Sequence, residues 1–95
     1  MLVGLTAIKS EVVTNANTAQ TFASGTLPVY ATPAMIALME SAAVAAIAKE
    51  ITSEESSVGV KLDVQHLAAT PLNKRVTAKA TLTKIDGRKL SFDVE

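Results

Sequence analysis

The longest apolar segment of the chain constrains its fold most: residues 33–48 read PAMIALMESAAVAAIA. The segment is rich in alanine, which favours helix, and its apolar residues would cover most of the circumference of a helix. We therefore predict one long helix that ends at about Glu50 or Ile51 and is buried nearly all round. Thr32 is expected to be the N-cap residue, and Pro33 the first helical residue, where a missing N–H loses no hydrogen bond.

One charged residue interrupts this apolar helix. Glu40 is the only charged residue between Pro33 and Lys49. Burying a carboxylate is costly unless it has a partner or its pKa rises. Glu40 therefore either faces outward from a helix that is only partly covered, or takes part in chemistry.

The rest of the chain favours strands. A first strand is predicted within residues 2–14, and three runs after the helix alternate apolar and polar residues: 57–67, 75–85 and 89–95. Asp86-Gly87 is predicted as the two-residue turn of a hairpin, of type I′. One face of the run 75–85 is expected to carry Val76, Ala78, Ala80 and Leu82, and its continuation would add Lys84. The inner face of the last strand is expected to carry Leu90, Phe92 and Val94. This order predicts an α+β architecture, with an antiparallel sheet curled around one helix.

Composition narrows the functional class. The 95 residues are predicted to form a single domain, 1–95, with a formal net charge of zero and dispersed basic residues, which argues against a nucleic-acid partner. No cysteine and one histidine argue against disulfides and a metal site. The start does not read as a signal peptide and the helix is too short to cross a bilayer, so the expected location is the cytoplasm, with no membrane partner.

Three polar residues are candidates for chemistry. Glu40 follows Thr32 by a little over two helical turns, and His66 closes the apolar face of the run 57–67, which is expected to pack on the helix. Each has a structural alternative: Thr32 as a helix cap, His66 as a core or strand-end histidine, and Glu40 as an outward-facing carboxylate. An enclosed carboxylate and a histidine aimed at the same interface make an acid–base pair plausible.

Three segments carry a family resemblance: ATPAMIALME, SVGVKLDVQHLAATP and VTAKATLTKIDGRKLSFDVE. Together they resemble the hotdog-fold thioesterases of the fluoroacetyl-CoA thioesterase type, and the resemblance covers nearly the whole chain. It implies a sheet wrapped around a central helix, a homodimer with active sites at the subunit interface, and hydrolysis of a small acyl-CoA to the acid and CoA. No cofactor is implied beyond the CoA of the substrate. Family members continue after the last hairpin with a further strand, which this chain is expected to lack.

The resemblance also suggests site residues. A Thr, a Glu and a His of the family correspond to Thr32, Glu40 and His66. Glu40 would be the nucleophile or the base that activates water, His66 would assist proton transfer to the CoA thiolate, and Thr32 would hold the carboxylate or the substrate. Gly59 is predicted to bind substrate, because a glycine lets a ligand approach and its N–H could serve the thioester oxygen. Phe22 and Tyr30 are predicted to bind substrate as the aromatic residues of the loop that carries a lid in the fluoroacetyl-selective member.

Two other functions fit the same fold. One is a non-catalytic domain that binds acyl-CoA, and the other is a dehydratase or hydratase that also pairs an acid with a histidine. A glutamate on the helix, followed by a histidine on the next strand, fits the thioesterases better.

Overall fold

The computed structural model describes residues 1–52 and 55–95. It contains one helix and three strands: β1 (Thr6–Val12), α1 (Thr32–Ile47), β2 (Arg75–Asp86) and β3 (Lys89–Val94). The strands form one antiparallel sheet in the order β1-β2-β3, and α1 packs on one face of it. The predicted α+β arrangement, with an antiparallel sheet against one long helix, is confirmed.

The central strand β2 supplies the face on which the helix packs. Ala78, Ala80 and Leu82 are buried along it, as the alternating pattern predicted. The first two contact Leu38 and Ala42 of α1, and small side chains there let helix and sheet approach closely. The alternation ends after Leu82, where the β2–β3 pairing shifts register. This irregularity leaves Lys84 exposed, so its tentative inward placement is wrong.

The β2–β3 hairpin turns one residue later than predicted. Asp86 pairs with Lys89, so Gly87 and Arg88 are the two central residues of the turn. Gly87 has a φ of 59°, whereas Arg88 is not among the residues with positive φ. Positive φ at the first central residue alone matches a type II′ turn, which accepts glycine there and an ordinary residue next. The prediction of a hairpin is confirmed, and its assignment to type I′ is wrong.

The helix is shorter and less covered than predicted. Its N-cap is Ala31, so Thr32 is the first helical residue, and it ends at Ile47 rather than near Glu50. The buried residues form one stripe towards the sheet: Ala34, Leu38, Ala42 and Ala46, with Ile47 beside them. The opposite side is exposed at Glu40 and at Val44, which is 49% exposed. The prediction of burial all round is therefore wrong for the single chain, because a three-stranded sheet covers only one side of a helix.

The predicted strand at 57–67 is also wrong. The structure assigns this segment no strand and no pairing with β1, β2 or β3. Val58 and Val60 are 82% and 86% exposed, although they belong to the alternating apolar face of the sequence. Alternation predicts how side chains divide between two faces, but a strand also needs a hydrogen-bonded neighbour, and β1, β2 and β3 do not supply one. The segment instead lies beside the outer side of α1, where it meets Glu40 and Thr32.

Candidate active site

The start of α1 is held firmly by the core. Tyr30 and Ala31 are buried with Val13, which directly follows β1. The Tyr30 backbone N–H donates to the carbonyl of Thr70 at 2.8 Å, and that of Ala31 donates to the carbonyl of Asn17 at 2.9 Å. These contacts fix the residue that follows, Thr32, in the first turn of the helix.

The side chain of Thr32 pairs with His66. Its Oγ1 lies 2.7 Å from Nδ1 of the imidazole, across 34 positions of sequence. Thr32 is exposed and His66 is half-buried, so the pair lies at the surface of the single chain. The predicted N-cap role of Thr32 is wrong, because Ala31 occupies that position and no side-chain hydrogen bond caps the helix.

The Thr32 bond decides what the second ring nitrogen of His66 can do. A neutral imidazole carries one N–H and one lone pair. If Nδ1 accepts a hydrogen bond from the Thr32 hydroxyl, Nε2 carries the N–H and can donate. If Nδ1 carries the N–H and donates to the Thr32 oxygen, Nε2 is free to accept. Either arrangement fixes the ring orientation and leaves Nε2 for proton transfer.

Glu40 lies further along the same side of the helix. It follows Thr32 by eight residues, a rise of roughly 12 Å along the axis. Its side chain is exposed and touches the backbone at Gly59: a Cβ added to Gly59 would lie 2.5 Å from Oε2 of Glu40. Glu40 is thus an outward-facing carboxylate of a partly covered helix, and it lies against the segment that also carries His66.

One stretch of chain therefore meets the helix at two polar points. Between Gly59 and His66 it runs antiparallel to α1, from Glu40 back to Thr32. The structure joins Thr32 to His66 directly, and within the described residues no side-chain hydrogen bond links Glu40 to that pair. The three residues lie on the same side of α1, and their catalytic roles stay predictions.

A hollow lies beside His66. It has a volume of about 280 Å³ and is lined by Val29, His66, Leu67, Ala68 and Ala69. Four of these five residues are apolar, so the surface beside the imidazole is mainly apolar. Sequence reasoning did not single out the alanines, although they directly follow His66 in QHLAATP. A larger hollow of about 500 Å³ lies between Asp63 and β3 and does not include the Thr32–His66 pair.

Tyr30 belongs to the core. It is 1% exposed, and its hydroxyl donates a hydrogen bond to the carboxylate of Glu11 on β1. Burial raises the pKa of the Tyr30 hydroxyl far above its usual value, and the hydrogen bond and negative charge of Glu11 raise it further. The predicted role of Tyr30 in substrate binding receives no support from this position.

Phe22 keeps an accessible ring. It is 48% exposed, in the loop between β1 and α1. Its proposed contact with substrate stays a prediction.

Glu11 was not identified from the sequence. It accepts hydrogen bonds from the Tyr30 hydroxyl and, at 3.3 Å, from the Asn17 side-chain amide. No local sequence pattern indicates that a carboxylate on a strand will bind a tyrosine 19 residues away.

Two features are absent from the described ranges, 1–52 and 55–95. In these ranges, no group of three or more His, Cys, Asp or Glu residues could hold a metal ion. None of their helices has the length and apolar character needed to cross a membrane.

Comparison with known proteins gives a consistent family. The family model of fluoroacetyl-CoA-specific thioesterases matches residues 13–95. The fluoroacetyl-CoA thioesterase of Streptantibioticus cattleyicolor is 44% identical over 66 residues, which are 70% of this chain and 48% of that protein. The chain thus matches about half the length of this curated relative.

Solved structures agree in fold. The fluoroacetyl-CoA thioesterase FlK superposes with a TM-score of 0.91 at 35% identity, covering 99% of this chain and 74% of that one. A mutant of FlK in complex with fluoroacetate and CoA gives the same TM-score and identity, with 80% of that chain covered. A thioesterase superfamily member from Thermus thermophilus has a TM-score of 0.87 at 30% identity, covering 98% of this chain and 69% of that one.

The likeness extends over nearly the whole chain and includes the helix, the sheet and the segment that carries His66. The expected hotdog fold is confirmed, since the relatives that superpose on the chain are thioesterases of that fold. With 83 of its 95 residues inside the match, the chain belongs to the family of fluoroacetyl-CoA-specific thioesterases.

Proposed function

We propose that this chain hydrolyses a small acyl-CoA thioester to the free acid and CoA. The observation that carries the proposal is the Thr32–His66 hydrogen bond of 2.7 Å, on the side of α1 that also presents the Glu40 carboxylate. A relative that is 44% identical is named a fluoroacetyl-CoA thioesterase, and a mutant of FlK has been crystallised with fluoroacetate and CoA. The apolar hollow beside His66 favours a short acyl group without charge.

The side chains can supply the whole reaction by either of two routes. In one, the Glu40 carboxylate attacks the thioester carbon, the C–S bond breaks, and water then cleaves the mixed anhydride. In the other, Glu40 removes a proton from water, and the resulting hydroxide attacks the same carbon. In both routes the C–S bond breaks and the CoA sulfur takes the proton from Nε2 of His66, whose ring Thr32 orients through Nδ1. The proton that the attacking water releases then restores the N–H at Nε2 and leaves Glu40 as a carboxylate.

Water, a carboxylate and an imidazole suffice for this chemistry. We therefore propose that the reaction uses no cofactor, with CoA entering only as part of the substrate. Turnover that persists in excess chelator would agree with this, and turnover that is lost and then restored by a divalent metal would contradict it.

We further propose that the chain works as a homodimer. Three large apolar residues are left exposed: Val44 on the outer side of α1, and Val58 and Val60 on either side of Gly59, which lies against Glu40. Exposed apolar surface of this kind marks a contact site, and a second copy is the commonest partner of such a surface. A second copy seated there would enclose Glu40 and remove water from the site. The cytoplasmic location expected from the sequence stays a prediction.

Turnover of a panel of short acyl-CoA thioesters, followed by release of free thiol, tests the function. Glu40→Gln and His66→Ala should each lower kcat by about 100-fold or more, the usual contribution of a general acid or base. Glu50→Gln is the matched control, because it neutralises an exposed carboxylate beyond the end of α1.

The outcomes separate the alternatives. Unchanged rates in both variants would refute the catalytic assignment. Binding of acyl-CoA without turnover by the wild-type chain would favour the non-catalytic binding domain. Sedimentation of the wild-type chain as a monomer at assay concentrations would contradict the homodimer.

A further inference from the structure

We propose that Gly59 is a positioning residue: the absence of a side chain there lets the Glu40 carboxylate lie against the backbone of the segment 57–67. The effect of this contact on catalysis rests on the function proposed above, whereas the contact itself is a property of the fold. It differs from the predicted role of Gly59 in substrate binding, since here the glycine acts through Glu40.

A side chain at Gly59 would collide with the Glu40 carboxylate. A Cβ built on Gly59 would lie 2.5 Å from Oε2 and 3.6 Å from Cδ of Glu40. Cβ atoms essentially never approach another heavy atom within 3.0 Å, so an alanine at this position requires the carboxylate or the segment to move. These two atoms are also the only non-adjacent heavy atoms of the described chain within 4 Å of the added Cβ.

The backbone at Gly59 does not itself require glycine. Gly4 and Gly87 have φ values of 99° and 59°, which side chains rarely adopt, but Gly59 lies outside that range. Gly59 is exposed, so core packing does not require a small residue there either. The approach of Glu40 is therefore the reason that the structure gives for a glycine at this position.

The contact couples two parts of the candidate site. A glutamate side chain on an exposed helix face can adopt several rotamers. Contact between its carboxylate and the backbone at Gly59 excludes some of these rotamers. The same segment places His66 on Thr32 seven residues later. Gly59 thereby helps to set the position of the carboxylate relative to the imidazole.

The first test compares two glycine-to-alanine variants. In Gly59→Ala, kcat should fall by about 100-fold with KM little changed, the scale expected when a catalytic group is displaced by about 1 Å. Gly25→Ala is the matched control: its added Cβ would lie 3.3 Å from Cβ of Ala19, and Gly25 does not have a positive φ. Both changes reduce the freedom of the unfolded chain equally, so their difference reports the local contact.

A shortened carboxylate should remove most of the effect of Gly59→Ala. Glu40→Asp withdraws the carboxylate by one methylene, so adding Gly59→Ala to it should cost less than threefold in kcat. A loss of about 100-fold in both backgrounds would overturn the proposal, because the added methyl would then act through something other than the Glu40 carboxylate.

A second measurement does not depend on turnover. Gly59→Ala should lower the Tm of the wild-type chain by about 4 °C or more, the scale of a modest steric conflict in a domain of this size. The same change should leave the Tm of Glu40→Ala unchanged or raise it. If the wild type proves inactive and this coupling is present, the proposed function fails while the positioning contact stands.

Two results would overturn the positioning role itself. One is a Gly59→Ala variant that matches Gly25→Ala in both kcat and Tm. The other is a Gly59→Ala chain that does not fold and is not restored by Glu40→Ala, since the conflict would then lie elsewhere.

Discussion

The hydrogen bond from the buried Tyr30 to the half-buried Glu11 should stabilise the fold measurably. Tyr30→Phe keeps the ring in the core and removes only the hydroxyl, which donates to a half-buried carboxylate. A hydrogen bond to a charged group contributes about 1.5–3 kcal/mol. Glu11 keeps the Asn17 amide as a partner, so we expect the lower end, about 1.5 kcal/mol, or a fall in Tm of about 6–12 °C.

This contribution should vanish at alkaline pH. The folded chain raises the pKa of Tyr30 above its ordinary value of 10.0, so the stabilisation is complete below pH 10 and is lost above it. Above that pH the unfolded chain releases the phenol proton while the folded chain retains it, and the stability of the wild type falls by about 1.4 kcal/mol per pH unit relative to Tyr30→Phe. The two proteins should be almost equally stable near pH 11.

Urea unfolding followed by circular dichroism, from pH 8 to 11 at constant ionic strength, measures both effects. Glu11→Gln and the double variant complete a cycle that isolates the pair. Equal stability of wild type and Tyr30→Phe at pH 8 would refute the energetic role of the hydroxyl. A stability difference that is unchanged between pH 8 and 11 would refute the linkage to ionisation of Tyr30.

Two further substitutions test the site and the core. Thr32→Val removes the hydroxyl bonded to His66 and should lower kcat/KM by about tenfold. Thr32→Ser keeps a hydroxyl and should retain most of the activity. Equal losses of activity in both variants would count against a role for the hydrogen bond. Leu82 is only 1% exposed, so Leu82→Ala should lower the free energy of unfolding in urea by about 2–5 kcal/mol. Ile85 lies on the exposed end of the same strand, and Ile85→Ala should lower it by less than about 1 kcal/mol. Equal losses of stability would contradict the assigned inner face of β2.

Local sequence patterns were enough to predict the elements whose form depends on residues close together in the sequence. The alternation of Ala78, Ala80 and Leu82 identified β2, and the glycine at 87 identified the hairpin, although not its turn type. The strand depends on the alternation of apolar and polar side chains, and the hairpin on the φ angles open to glycine. A few consecutive residues determine both. The hydrogen bond between Thr32 and His66 was not predicted, because 34 residues separate them and the family resemblance assigned Thr32 to the carboxylate or the substrate.

Other features could not be obtained from local patterns, because they depend on what lies beside a segment. The alternation of Val58 and Val60 specified two faces but not the neighbouring strand that would complete a ladder. The apolar character of α1 predicted burial on every side, but the single chain covers only the stripe of Leu38 and Ala42. The bond between Tyr30 and Glu11 likewise exists only once β1 lies beside the loop that precedes the helix.

The pairing of β1 with β2 has a consequence for synthesis of the chain. Thr6 lies opposite Thr81, so β1 leaves the ribosome long before its partner strand exists. At about 5–20 residues per second, the interval is roughly 4–15 s. During that interval α1 has emerged as well, but the strand that carries Ala78 and Ala80 has not. The arrival of β2, rather than formation of the helix, therefore sets the moment at which the nascent chain can complete the core around Leu38 and Ala42.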